Sequence, residues 1–512
     1  MPAVCLGKYT KTAIAGRVVI GPTTPGRQHT RHVTRFFPLP PLDGLWQVST
    51  HHNCRTNELV SLYQRHLTEY PVKVEVAALQ RCRRQLLRLA SQAPLIYPLS
   101  VEQAADHYRG LKRKKMRLAA QSLEERPIEE NDARVKMFIK QDKYPADAVL
   151  EKAPRAIQYR SPRYTIQLAC YLTPLERWVY TREWCAKGAN SWERAARYIR
   201  AMQRFDNPVA IEVDYSKFDA HISMDLLRLE HGFYNAVYGH DETLHTLLRW
   251  QLRNRGTTPS GLRYQTRGKR MSGDLNTGLG NTVINYAILS DITRDCRSWM
   301  LIDGDDSILL IERDDLRVLA DRLGALAATH GQTAKWAAVD PWEVEFCQSK
   351  LMPIGLRWRF VRNPRRAISH DSVTTTKYPP HILSRLRYAI GQCELACMNG
   401  VPVLQEMALA MMRLGDPTPI KATEDIFYRA KHEGRAMRLE ITQEARYWFE
   451  RQFGITLAQQ YQLEHYYAAL DDPETVTYVD QDNQGTPAAE ETCTARWSRR
   501  GGFEPTPADG DR

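Results

Sequence analysis

Trp299-Met300-Leu301-Ile302-Asp303-Gly304-Asp305-Asp306-Ser307-Ile308-Leu309-Leu310-Ile311 sets two apolar runs on either side of an acidic turn. Each run is about as long as a strand, and Gly304 offers the backbone freedom that a tight hairpin turn wants. The stretch predicts a β-hairpin holding Asp305 and Asp306 side by side at its tip. Two carboxylates fixed at one place repel each other unless a hard cation lies between them, so the pattern suggests a Mg2+ or Mn2+ site. A calcium-loop reading fails on spacing: with Asp303 first, the sharp-turn glycine would fall at Ile308 and the closing glutamate at Asp314. Gly-Asp-Asp by itself is also an ordinary solvated turn, and the decision between the two readings lies upstream.

Residues 208–223 read Pro-Val-Ala-Ile-Glu-Val-Asp-Tyr-Ser-Lys-Phe-Asp-Ala-His-Ile-Ser. Val209, Ile211 and Val213 alternate as in a half-buried strand. Asp214 lies at its end, and Asp219 follows where the chain leaves the strand and opens a helix ending near His231. A strand-end carboxylate facing the hairpin would complete a three-carboxylate cradle for two ions. The plain alternative makes Asp219 a helix cap and Asp214 a turn residue. Between the two acidic segments, Met271-Ser272-Gly273-Asp274-Leu275-Asn276-Thr277-Gly278-Leu279-Gly280-Asn281 is a glycine-rich loop entering a helix that runs to about Asp295. Thr277 and Asn281 share one helical face. Hydroxyl and amide groups there can read a ribose 2′-OH, which both donates and accepts hydrogen bonds.

Asp-x4-Asp (214–219), Ser-Gly-x3-Thr-x3-Asn (272–281) and Gly-Asp-Asp (304–306), in that order, resemble motifs A, B and C of viral RNA-dependent RNA polymerases. The wording is most similar to the tombusvirus-like group of positive-strand RNA viruses. Lys-Phe-Asp-Ala-His-Ile-Ser (217–223), Glu-Phe-Cys-Gln-Ser (345–349), His51-His52-Asn53 and Val361-Arg362-Asn363-Pro364 carry the likeness, which spans roughly residues 15–470. It implies an α+β right-hand polymerase, with a mixed or antiparallel palm sheet backed by helices and a mostly helical thumb. It also implies RNA-directed RNA synthesis from NTPs with two ions, Mg2+ or Mn2+. Position by position, Asp214 and Asp305 become the main ligands and Asp306 a secondary one. Asp219 and Asn281 would select ribose, with Ser272 or Thr277 assisting. Arg134–Lys143 and Pro154–Arg160 resemble the basic motif F. This nominates Lys140, Arg155 and Arg160 for the triphosphate, since Arg grips phosphate with paired hydrogen bonds and Lys acts as a point charge. Lys335 falls where motif D is expected and is a candidate general acid for pyrophosphate. Two positions depart from the group: Asp303 stands where a neutral residue is frequent, and Ser307 where Cys is frequent.

The same resemblance divides the chain into an N-terminal and fingers region (1–204), palm (205–225), fingers (226–268), palm (269–365) and thumb (366–470). Helices are expected at 75–92 and 101–123, and again from Pro379, at about 402–414 and within 421–469. Residues 471–512, rich in Asp, Glu, Thr, Pro and Gly, read as a disordered tail. A reverse transcriptase shares two-metal palms but has no use for the 2′-OH contacts at Asp219 and Asn281. An inactive RNA-binding scaffold would not need Asp214, Asp305 and Asp306 all in place.

Composition agrees with a polyanionic partner. The chain carries 71 Lys and Arg against 59 Asp and Glu, a formal charge of +12 and a pI near 9.1. Lys112–Arg117 forms a basic cluster. Arg357–Arg366 interleaves basic and aromatic residues, a pattern able to track a phosphate backbone and offer stacking faces. The ten cysteines include no Cys-x2-Cys pair, which argues against a zinc module or disulfide framework. Cys393 and Cys397 read as core; His51, His52 and Cys54 could touch a metal but read first as structural. Lys8, Lys11 and Arg17 interrupt the N-terminus, and no apolar run reaches the ~18 residues of a membrane span. Expected partners are template and nascent RNA, NTPs, and viral or host proteins for recruitment to membrane-associated replication sites in the host cytoplasm.

Overall fold

The computed structural model describes residues 3–6, 14–20, 31–70, 73–419 and 430–473, together with the strands Val476–Tyr478, Ala495–Trp497 and Phe503–Pro505. The fold is mixed α+β. At its centre is a four-stranded, wholly antiparallel sheet in the order Ser298–Asp303, Asp306–Glu312, Pro208–Tyr215, Ala334–Val339. Val209, Ile211, Met300, Ile302, Leu309 and Ile311 pack on one face, against the helices Val76–Ser91, Met224–Val237 and Thr277–Ile292. Ala210, Leu301, Ile308 and Leu310 pack on the other, with the helix Ser191–Met202 and a three-stranded sheet ending in Arg357–Arg362. Burial on both faces explains why the hairpin strands read as continuous apolar runs. The helix Thr277–Ile292 is enclosed on almost every side.

A second sheet of five strands runs in the order Arg17–Val19, Arg263–Arg267, Arg253–Thr257, Val135–Ile139, Ala156–Tyr159. The C-terminal part is helical, with Pro364–Asp371, Pro380–Met398, Leu404–Arg413, Gln443–Phe453 and Leu457–Ala469 around a core that includes Phe36 and Phe37.

Several elements differ from expectation. The 101–123 stretch is two helices, Val101–Asp106 and Gly110–Glu125. The 219–231 stretch divides into Phe218–His221 and Met224–Val237, the second capped by Ser223. Within 421–469, residues up to 429 lie outside the described set. The remainder breaks at Gly454, which takes φ +63° and ends one helix before Thr456 caps the next. The disorder expected for 471–512 falls mostly outside the described residues, though Val476–Tyr478 pairs with Val33–Arg35.

Two of the three cations of the basic and aromatic Arg357–Arg362 strand are held by protein partners, while Arg357 stays exposed over the Trp192 ring (4.7 Å). Arg359 is wholly buried and donates to Ser191 Oγ (2.8 Å), Asn399 Oδ1 (2.8 Å) and the Ala396 carbonyl (3.1 Å). Arg362 is held by Asp371 and Glu394. Its aromatic partner Trp358 packs on Trp342 and Trp448. Cys393 and Cys397 are buried, and His51 Nε2 meets the Val149 carbonyl at 3.0 Å.

Candidate active site

Pairing of Asp303 with Asp306 leaves Gly304 and Asp305 as a two-residue loop. Gly304 takes φ +74°, matching a type II′ turn, whose first central position favours glycine. Ser307 pairs with Val213, so one further step brings Asp306 beside Asp214. On the other side of Asp214, Lys335 is its in-register neighbour. Such facing residues stand about 4.5–5.5 Å apart at Cβ and share a face. Asp214, Asp305 and Asp306 are all exposed at this end of the sheet.

The buried helix Thr277–Ile292 clasps the turn. Thr282 Oγ1 accepts from the Gly304 N–H (2.9 Å), and Asn285 Nδ2 donates to the Gly304 carbonyl (3.0 Å). Asn285 Oδ1 accepts from the Tyr215 hydroxyl (2.9 Å), tying the same helix turn to the strand that ends beyond Asp214.

Crowding by protein, then the charges of Asp219 and Asp306, pushes the Asp305 carboxyl up to about 6. Asp306 is also raised, by its surroundings first and then by Asp303 and Asp214. Asp303 behaves differently. Burial opposes its charge, but Lys187 and Arg194, each 2.5 Å away, outweigh burial and hold the carboxyl below its ordinary value. The extra acid at this position is therefore neutralised from beneath the hairpin.

Asp219 accepts from Asn281 Nδ2 (2.7 Å) and from Ser272 Oγ (2.5 Å). Asn281 Oδ1 in turn accepts from Arg270 Nε (3.0 Å), and Arg270 is ion-paired with Glu230 in full burial. A Cβ at Gly280 would stand 2.2 Å from a Glu230 carboxylate oxygen, so this close approach demands glycine. Thr277 donates its hydroxyl to the carbonyls of Met271 (3.0 Å) and Asp274 (2.9 Å).

Asp219, Ser272, Thr277, Asn281 and Asp305 line one cavity of about 280 Å3, together with Lys140 and Arg155. Both cations lean on Asp142, at 3.3 and 2.7 Å. Arg160 is a correction: it does not reach the cavity. It is buried against Asp274 (2.6 Å), Asn254 and the Ala133 carbonyl, where it fixes the glycine-rich loop. Lys335 borders Asp214 but does not line the cavity either.

Sequence reasoning missed Arg65 and Lys217, which supply two further cations to the cavity. Burial, then the charge of Arg155, lowers the Arg65 guanidinium below its usual range. Lys217 sits at φ +55°, an uncommon conformation for a side chain with a Cβ, and donates to the Gln64 carbonyl (2.7 Å). Thr282 and Asn285 were legible in retrospect. They are polar positions one and four residues beyond Asn281, among the apolar Val283, Ile284, Ala287, Ile288 and Leu289 of the same helix. Nothing local in the sequence marked Lys187, Arg194 or Arg65.

The oxygen-only set at Asp214, Asp305 and Asp306 fits a hard divalent cation, which takes carboxylate oxygens as ligands; burial first, and neighbouring carboxylates second, raise Asp305 and Asp306. The three do not converge as a closed cage. Among the described residues, sets of three ligating atoms within 4.8 Å occur instead at Cys82–Asp291–His330 and Cys393–Glu394–Cys397, both buried. In the first, Arg81 (2.5 Å) and His330 (2.9 Å) already occupy Asp291.

Acidic strand ends, a cluster of cations and a hydroxyl–amide–carboxylate network thus meet around one cavity beside a sheet of antiparallel strands. The chain belongs to the viral RNA dependent RNA polymerase family, which it matches over residues 27–472. It is 32% identical over 474 residues to the RNA-directed RNA polymerase of maize chlorotic mottle virus, covering 86% of this chain and 48% of the relative. It is 34% identical to that of turnip crinkle virus, covering 78% and 54%, and 32% identical to that of tomato bushy stunt virus, covering 70% and 46%. The chain thus spans about half the length of these curated relatives. Among the described residues, no helix is long and apolar enough to cross a membrane.

Proposed function

We propose that this chain is an RNA-directed RNA polymerase that copies a positive-strand viral genome by nucleotidyl transfer from NTPs. The observation that carries the proposal is the junction of two charge systems in one cavity. Asp305 lines the cavity from the strand ends that also carry Asp306 and Asp214, and Arg65, Lys140, Arg155 and Lys217 line the same cavity. Asp214, Asp305 and, secondarily, Asp306 would hold two divalent ions, Mg2+ or Mn2+. Ions held there would supply Lewis-acid chemistry, lowering the pKa of a 3′-OH and offsetting negative charge on phosphate oxygens. The four cations receive the triphosphate. Asp219, oriented by Ser272 and Asn281, accepts a hydrogen bond from the ribose 2′-OH, with Thr277 shaping the wall. Lys335, beside Asp214, donates a proton toward the departing pyrophosphate.

In this reading the four-stranded sheet is the palm (205–225 and 269–365), the flanking regions 1–204 and 226–268 are fingers, and the helices of 366–470 are the thumb. Template and nascent RNA pass through the molecule. Viral or host proteins bring it to replication sites on cytoplasmic membranes of the host cell.

Primer extension on an RNA template with rNTPs or dNTPs tests the proposal. Ribonucleotides are expected to be used preferentially, and Asp305→Ala should abolish synthesis while sparing most RNA binding. Preference for dNTPs, or undiminished synthesis by the Asp305→Ala protein, would overturn it.

A further inference from the structure

Strand register collects an unusual surface on the five-stranded sheet. Arg253 pairs with Arg267, Arg255 with Gln265 and Thr257 with Arg263. Arg17 pairs with Gln265, and Lys136 with Thr257. Every one of these side chains is exposed, while the alternating residues, such as Asn254, Tyr264 and Met137, are buried. Six cations, Arg17, Lys136, Arg253, Arg255, Arg263 and Arg267, therefore stand on one face. None of the five strands contains an Asp or Glu. Among the described residues, none of the six makes an ion pair with a carboxylate. Two acids, Glu129 and Glu130, border the Arg253–Arg255 end.

Folding gains nothing from this arrangement. Like charges directly opposite on neighbouring strands destabilise a sheet. A surface that sets Arg253 against Arg267 is thus shaped for a polyanion. The same face continues past Lys136 to Phe138 and Tyr159, two aromatic rings in edge contact at 5.9 Å. Phe138 then pairs with Ile157, which lines the catalytic cavity. Cations followed by aromatic rings, leading to the cavity rim, are the composition of a single-strand nucleic-acid track.

We propose that this sheet face is an RNA-binding surface outside the catalytic cavity, which holds single-stranded RNA along its path to or from Ile157. The inference takes the identity of the polyanion from the polymerase reading; the surface itself rests on register and exposure alone. RNA is favoured over an anionic membrane because the cations lead to stacking rings at the cavity rim, although Val19 also projects from the face opposite Arg263.

The test compares the unaltered protein with Arg253→Gln/Arg267→Gln and with Arg253→Lys/Arg267→Lys. Affinity is measured for a single-stranded RNA of roughly 30 nucleotides over a range of salt, and extension is measured on a primed template of roughly 8 nucleotides. The Gln variant should lose about tenfold in affinity for the long RNA, with the slope of log affinity against log salt shallower by about 1.4, at ~0.7 per phosphate contact. The Lys variant should stay near the unaltered protein. Extension on the short template should be unchanged in all three, which separates this outcome from failure of the polymerase reading. Unchanged affinity and salt slope in the Gln variant would overturn the proposal. So would equal loss in the Lys variant, which would mark a structural role, or equal loss on the short template. A Gln variant that loses binding only to phosphatidylserine vesicles would assign the face to lipid instead.

Discussion

Asp303 shows how one added charge is absorbed next to the acidic Gly304-Asp305 turn. Its carboxylate bridges Lys187 and Arg194, so removing it frees two cations beside Asp306. Asp303→Asn should raise the Mg2+ concentration for half-maximal synthesis by roughly three- to tenfold, the scale of a partly screened charge a few ångströms away. Adding Lys187→Met should reverse most of the change, and a Mn2+ titration followed by electron paramagnetic resonance gives the same comparison without turnover. Asp305 carries the opposite signature. Its folded value, about 6, lies above the ordinary 3.8, so its charge destabilises the metal-free fold at neutral pH. That cost is full above the folded value, fades as pH falls through it, and is gone below the unfolded one. Asp305→Asn should therefore raise metal-free stability at pH 7 by on the order of 1 kcal/mol, after allowance for solvent screening, and by nothing near pH 4. Thermal melts at the two pH values check it. At this scale the acidic and amide residues were legible because their types and spacings recur within short segments. Arg160 misled because a basic strand says nothing of which cation turns inward to meet Asp274.

The helix Thr277–Ile292 does three jobs within two turns. Asn281 orients Asp219, Thr282 accepts from the Gly304 amide, and Asn285 joins that turn to Tyr215. Asn285→Ala leaves the Gly304 carbonyl and the Tyr215 hydroxyl without their partner, costing about 1–3 kcal/mol of stability. Synthesis should fall about tenfold or more in kcat with little change in the KM for NTP, because the cavity's own walls stay intact. Steady-state kinetics and a denaturant melt decide it. Asn281→Ala, by contrast, should raise the relative use of dNTPs while leaving the turn in place. Elements of this kind were readable where apolar periodicity or an acidic turn dominated, as in the hairpin and in Pro208–Tyr215. Breaks were harder. The interruption at 107–109 and the stop at Gly454 depend on local caps and tertiary packing that periodicity does not carry.

Across the whole molecule, the sequence showed which segments meet but not what holds them. Arg359, one cation of the Arg357–Arg366 segment whose pattern suits a phosphate backbone, instead joins the Arg357–Arg362 strand to the helix Pro380–Met398 and to Ser191. Arg359→Ala should cost about 3 kcal/mol, as expected when one partner of a buried charge cluster is lost. The melting temperature should fall by several degrees while the KM for NTP holds. Long-range partnerships like this one leave no trace in local composition. The sheet order has a further consequence, for synthesis on the ribosome. Pro208–Tyr215 lies between Asp306–Glu312 and Ala334–Val339, and both neighbours are made after it. Ninety residues, 216–305, must be translated before the first neighbour begins, which takes about 5–20 s at common elongation rates. During that interval Val209, Ile211 and Val213 form an unpaired apolar edge, the kind of segment that chaperones bind and that aggregates when they are scarce.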